Sequence, residues 1–132
     1  MQLTGTVEKS WGSERIWITN ERYSSKFLDF KKDSKFSMHF HVQKDESWYV
    51  LSGKFNLKVI NTDNAEVIER ELNVGDVWRN VPLLPHQLTC IEEGTILEVS
   101  TPDSVEDNFR IGPGDSQLNP LVMVQSTIPE KI

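Results

Sequence analysis

The three histidines of this 132-residue chain stand at spacings that suit one shared ion. His39 and His41 form an H-x-H pair, and His86 directly follows Pro85. Glu46 comes five positions after His41, and Gly53 closes the same stretch. Three imidazoles and a carboxylate are a donor set for one divalent transition metal. Zn, Fe, Mn and Ni all accept such a set, so the residue types name a metal site without naming its ion.

The H-x-H spacing demands a strand. Side chains two apart share one face of a strand but not of a helix. Phe36, Met38 and Phe40 alternate with Ser37, His39 and His41, the period of a strand with an apolar and a functional face. The run Glu46–Ser52 is rich in strand formers and ends at the turn residue Gly53. Paired back on the first strand, it would bring Glu46 to the histidines, with His86 arriving from a distant segment. The face carrying Phe36, Met38 and Phe40 is more apolar than one small barrel is expected to leave in water, so a homodimer is expected.

The same short alternation runs along the chain. Strands are predicted near 15–19, 23–30, 35–42, 46–52, 55–60, 66–72, 77–80, 87–91 and 95–100. Turn-forming clusters separate them, such as Asn61-Thr-Asp-Asn64 and Glu92-Glu-Gly94. This pattern predicts an all-β sandwich or barrel of antiparallel strands. The length suits one domain, over residues 1–111. Residues 112–132 hold Pro113, Pro120, Pro129 and the apolar cluster Leu121–Val124. They are expected to form a C-terminal extension on the barrel or on a partner subunit.

A net charge of −6, from 20 acids and 14 bases, argues against nucleic acid or an anionic membrane as partner. No apolar run is long enough for a membrane-spanning helix. The opening residues lack the basic start and apolar stretch of a signal peptide. With Cys90 as its one cysteine, the chain has no internal disulfide, and a cytoplasmic setting is expected. Cys90 shares the parity of His86 and reads as a small buried residue.

These residues resemble the cupin motifs. In the first, G-x5-H-x-H-x3–4-E-x6-G, Asp33 takes the place of the leading glycine, followed by His39, His41, Glu46 and Gly53. In the second, G-x5-P-x-G-x2-H-x3-N, Gly75 and His86 keep their spacing, while Val81, Leu83 and Cys90 replace the proline, glycine and asparagine. The resemblance implies a cupin-type double-stranded β-helix, or jelly-roll barrel, with metal ligands at His39, His41, Glu46 and His86. A narrower likeness is to mannose-6-phosphate isomerase type II cupins. Val7-Glu-Lys-Ser-Trp-Gly12 with Glu14 is similar to their V-x-K-P-W-G-x-E opening. Glu98-Val-Ser-Thr-Pro102, then an acidic pair and Arg110-Ile111, is similar to their E-V-S-T-P…D-D…R-I segment. The four-residue gap from His41 to Glu46 and the sequence Gly112-Pro-Gly-Asp115 depart from that group.

The implied activity is isomerisation of a sugar phosphate. Aldose–ketose exchange needs a base for the C–H proton, with Glu46 or Glu98 as candidates, and a Lewis acid for the oxygens. Arg79, Arg110 and Lys35 are candidate phosphate contacts. Trp48 and Trp78 offer either a stacking wall for a sugar ring or core packing. A metal-dependent dioxygenase or lyase, and a non-enzymatic carbohydrate-binding module, are the alternatives.

Overall fold

The computed structural model describes residues 4–115. The described residues form strands and turns without an α-helix. Eleven strands are seen among them: β1 Gly5–Lys9, β2 Gly12–Thr19, β3 Ser24–Phe30, β4 Met38–Phe40, β5 Glu46–Val50, β6 Lys54–Ile60, β7 Val67–Leu72, β8 Val77–Asn80, β9 His86–Glu92, β10 Gly94–Ser100 and β11 Phe109–Gly112. They build two antiparallel sheets, ordered β1-β2-β3-β10-β5-β8 and β11-β4-β9-β6-β7. This is the predicted all-β jelly roll.

Alternation explains the layering. Along β6, Phe55, Leu57 and Val59 are buried while their neighbours are half-exposed. Along β3, Leu28 and Phe30 point inward, and along β10 Ile96 does. Trp11 stacks on Phe30 with ring centroids 4.5 Å apart, and Phe55 meets Phe30 edge-on. This cluster forms the core of the barrel, and its members Trp11, Leu28 and Trp48 also border the cavity described below.

Two strands escaped the sequence reading for physical reasons. β1 is exposed along nearly its whole length, so it carries no burial alternation. β11 has four residues and an irregular register against β4, too short to show a period. The segment predicted at 35–42 shortens to Met38–Phe40, joined to β9 through the single register pair His39–His86.

One expectation is corrected here. Phe36 does not share an outer face with Met38 and Phe40. Residues 36 and 37 lie outside strand β4, and Phe36 packs inward against Trp11, Phe30 and Trp48. Met38 is buried beside Gly112, and Phe40 stacks on Phe109 at 5.2 Å. Strand β11 of the same chain thus covers the apolar face that had suggested a partner.

From β11 as far as Asp115 the chain is docked on the barrel. The Asp115 carboxylate accepts the backbone N–H of Lys35, and Gln87 donates to the Pro113 carbonyl. Leu121–Val124 and the rest of the proposed extension after Asp115 lie outside the described residues.

Candidate metal centre and its cavity

Three strands and one turn deliver the site. β4 presents His39, and the residue after it is His41. The tight turn Val81–Leu84 delivers His86 as the first residue of β9. β5 opens with Glu46. The ligand atoms of the three histidines lie within 4.8 Å of one another, a group that could hold a metal ion.

Backbone carbonyls set the tautomers. His39 Nδ1 is 2.7 Å from the Ser37 carbonyl, and His86 Nδ1 is 2.8 Å from that of Leu84. His41 Nδ1 meets the Asp107 carbonyl. A carbonyl only accepts, so each Nδ1 carries the hydrogen and each Nε2 turns a lone pair toward the others. Burial, reinforced by the neighbouring imidazoles, holds His39 well below its ordinary pKa. Burial also lowers His41, against the pull of Glu46. These two rings are therefore neutral, the form that binds metals.

Glu46 completes the donor set. Its Oε1 lies 3.0 Å from His86 Nε2 and 3.8 Å from His41 Nε2. His86 Nε2 is buried and has no hydrogen-bond partner among the described residues. A lone pair and a carboxylate oxygen at that distance repel unless a proton or a cation lies between them. Three inward Nε2 atoms and one carboxylate thus fit a divalent metal, with the backbone carbonyls fixing the rings as orienting partners commonly do.

A charged cluster continues from Glu46 into the barrel. Lys44 Nζ is 3.3 Å from both Glu46 Oε2 and Glu98 Oε2, and 3.2 Å from Asp103 Oδ1. Lys26 Nζ is 3.1 Å from Glu14 and from Asp103, and 3.7 Å from Glu98. Trp48 Nε1 donates to Glu98 Oε1 at 3.1 Å. Burial and the adjacent Glu46 charge push the Glu98 carboxyl up to about 8. Burial alone would raise Glu46 too, but a hydrogen bond from Glu98 and the Lys44 charge hold it well below the usual range. Both lysines stay charged, because their carboxylate neighbours outweigh the cost of burial.

These groups line a cavity of about 470 Å³ that also holds Trp11, Phe36 and Arg110, a volume in the usual range for small-molecule sites. Glu98, proposed from sequence as a base if it pointed inward, does point inward. Trp48 is buried in the wall, edge-on to His86. Arg110 lies across from His39 in the β4–β11 pairing. Arg79 lies elsewhere: its guanidinium grips Asp45 on the outer surface. Trp78, opposite Trp48 in the β5–β8 pairing, packs against the core cluster and not in the cavity wall, and it donates to Asn80, whose amide reaches Glu46 at 3.4 Å. The main chain of Lys35 pairs with Asp115 and bridges to Thr89. Cys90 is a core residue, and burial pushes its thiol up to about 11.

Sequence reading missed Lys26, Lys44, Asp103 and Asn80. Lys26 had a visible signal, since it shares the parity of Leu28 and Phe30. Lys44 and Asp103 lie in loops, where no period betrays the direction of a side chain.

A family model for the cupins matches residues 4–121. The chain is a cupin. No curated protein matches it. Among solved structures, it is similar to an RmlC-like cupin from Shewanella frigidimarina, with 19% identity and a TM-score of 0.62 over 71% of this chain and 78% of that one. It is similar to oxalate decarboxylase from Bacillus subtilis, with 22% identity, a TM-score of 0.67 and coverage of 80% and 29%. It is also similar to CapF of Staphylococcus aureus, a capsular polysaccharide assembling protein, with 17% identity, a TM-score of 0.72 and coverage of 81% and 31%. This cupin therefore spans under a third of the last two proteins. Likeness at such identities shows the fold alone.

Two of the departures from the cupin motifs adopt a backbone that favours glycine. Asp33 and Leu83, both at motif glycine positions, have φ of 66° and 74°. Asp tolerates that left-handed region, whereas Leu is strained there. Leu83 is 56% exposed, so its side chain stabilises little by burial. Leu83→Gly is expected to stabilise this cupin by about 0.5–1 kcal/mol, strain relief exceeding the entropy of a freer unfolded chain. The melting temperature should rise by about 2–4 °C, while Asp33→Gly leaves it nearly unchanged. A lower melting temperature for Leu83→Gly contradicts this account.

Proposed function

We propose that the cavity is a metal-dependent active site that interconverts an aldose phosphate and a ketose phosphate, with a compound resembling mannose 6-phosphate as the first substrate to try. The observation that supports it most is that the inward Glu98 carboxyl shares one cavity with His39, His41 and Glu46, with His86 grouped beside them. His39, His41, His86 and Glu46 would hold the ion, which supplies Lewis acidity to the substrate oxygens. Glu98 is the proton carrier. It reaches the cavity from rigid β10 and is held at both oxygens, by Trp48 Nε1 and by the Lys44 ammonium. Such fixing keeps a carboxyl oriented for a proton moving between adjacent carbons. Lys44 counters negative charge that builds up beside it, and Arg110 contacts the substrate at the cavity wall. Trp11, Phe36 and Trp48 supply apolar wall for a sugar ring and limit water.

The test is turnover of hexose and pentose phosphates by metal-loaded protein. Interconversion that vanishes with a chelator and returns with the ion is the expected result. Arg110→Ala should raise KM with little change in kcat. A blank across the panel refutes the isomerase reading, and oxygen uptake or saturable binding without turnover would replace it by the oxygenase or the binding module.

A homodimer belongs to the same proposal, on a different surface from the one expected. The outer face of the six-stranded sheet exposes Trp17, Tyr49, Val77 and Val99, with Tyr49 and Val77 paired in register. Light scattering at micromolar concentration should give twice the chain mass, and Tyr49→Arg should return the protein to a monomer. A monomeric mass for the unsubstituted protein contradicts this.

A further inference from the structure

Of the carboxylates within 4 Å of Lys26 or Lys44, three stand on strands: Glu14 on β2, Glu46 on β5 and Glu98 on β10. Asp103 comes instead from the segment between β10 and β11. That segment is tied down at each end. Asp45 N–H donates to Thr101 Oγ1, and the Asp107 carboxylate accepts the N–H groups of Val42, Gln43 and Lys44. Between these anchors the chain bows outward, with Val105 94% exposed. The Asp103 carboxylate nevertheless reaches back to bridge two ammonium groups whose side chains are only 8% and 5% exposed, while its own is 44% exposed. Asp103, Ser104 and Val105 line the same cavity as His39 and His41.

We infer that Lys26 and Lys44 form the subsite for an oxyanion group of the substrate, a phosphate or a carboxylate, and that Asp103 occupies this subsite as an internal stand-in that the substrate displaces. The Asp103 carboxylate presents two oxygens, one to each ammonium, the same bridging contact an incoming oxyanion would make. It is also the member of the cluster that can leave without unpairing a strand. Lys44 touches Glu46, so an anion held there lies next to the histidine cluster. Substrate and Asp103 compete, and the apparent affinity is lowered by the fraction of time the segment is closed. The inference rests on reading this cavity as a substrate site, and it does not depend on isomerisation.

The test is binding, followed by the fluorescence of the cavity tryptophans and by calorimetry, with inorganic phosphate and with acetate as probes. Asp103→Asn in the full chain should tighten one probe or both by about tenfold. Tightening confined to phosphate assigns a phosphate group, and tightening of acetate assigns a carboxylate. Lys26→Met in the Asp103→Asn background should abolish the gain. Should that double variant fold poorly, Asp103→Glu serves instead: it keeps a carboxylate and should bind as the unsubstituted protein does. Glu106→Gln, which removes one negative charge from the same segment without touching the lysines, should leave affinity unchanged. The inference is overturned if Asp103→Asn tightens neither probe, if the gain survives loss of Lys26, or if Asp103→Glu or Glu106→Gln shows the same gain. Tightening without sugar-phosphate turnover keeps the subsite and refutes the isomerase, while turnover without tightening does the reverse.

Discussion

His86→Ala should cost this protein its metal and much of its thermal stability. Purified in the presence of a divalent ion, the unsubstituted chain is expected to carry about one equivalent, and the variant close to none. The reason is geometric. His86 is the one ligand from β9, it is 1% exposed, and its Nε2 faces Glu46 at 3.0 Å with His39 and His41 beside it. Removing it leaves two imidazoles from one segment and a carboxylate whose nearest neighbour is gone. An ion at a thousand times its dissociation constant stabilises the folded state by about 4 kcal/mol. For a domain of this size that corresponds to a fall in melting temperature of about 10–15 °C on loss of the ion. A chelator should produce much of the same fall in the unsubstituted protein and little in the variant. Full metal content in His86→Ala, by elemental analysis, would refute the centre.

Glu98→Gln should separate catalysis from binding. The amide keeps the size of the side chain and the oxygen that Trp48 Nε1 bonds, but it cannot take up a proton. If Glu98 carries the proton, kcat should drop by at least about 100-fold, the lower end of what a positioned acid or base contributes. KM and metal content should change little, because Glu98 is not among the grouped ligands. A structural role predicts something else, namely a lower melting temperature from the two lysines that lose a carboxyl partner, with kcat largely preserved. Retained kcat would therefore move the proton transfer to another group.

How far the sequence reaches is shown by particular residues. H-x-H with Glu46 and Gly53 marked β4 and β5, because period-two spacing assigns faces without knowledge of the fold, but the expected pairing of the two strands is not formed: they lie in different sheets, and Glu46 reaches the histidines across the barrel interior. Alternation also located the interiors of β3, β5, β6, β9 and β10, where one face is buried. The cupin motifs survive through Asp33 and Leu83 since those residues keep the backbone twist of glycine. What depended on tertiary structure was whatever packs across the two sheets or lies in a loop. Phe36 reversed its expected face because it lies outside β4, where strand alternation does not hold. Strand β11 covered Met38 and Phe40, a contact between segments some seventy positions apart in the chain. Arg79 and Arg110 look alike as isolated arginines, yet one grips Asp45 on the surface and the other lines the cavity. Lys44 and Asp103 are ordinary charges in sequence. They become partners, with Lys44 buried, because two loops and three strands converge on one volume, where each ammonium needs a carboxylate within reach. Spacing along the chain determined which residues share a face, while the surroundings of that face were decided by long-range pairing, which has no local period.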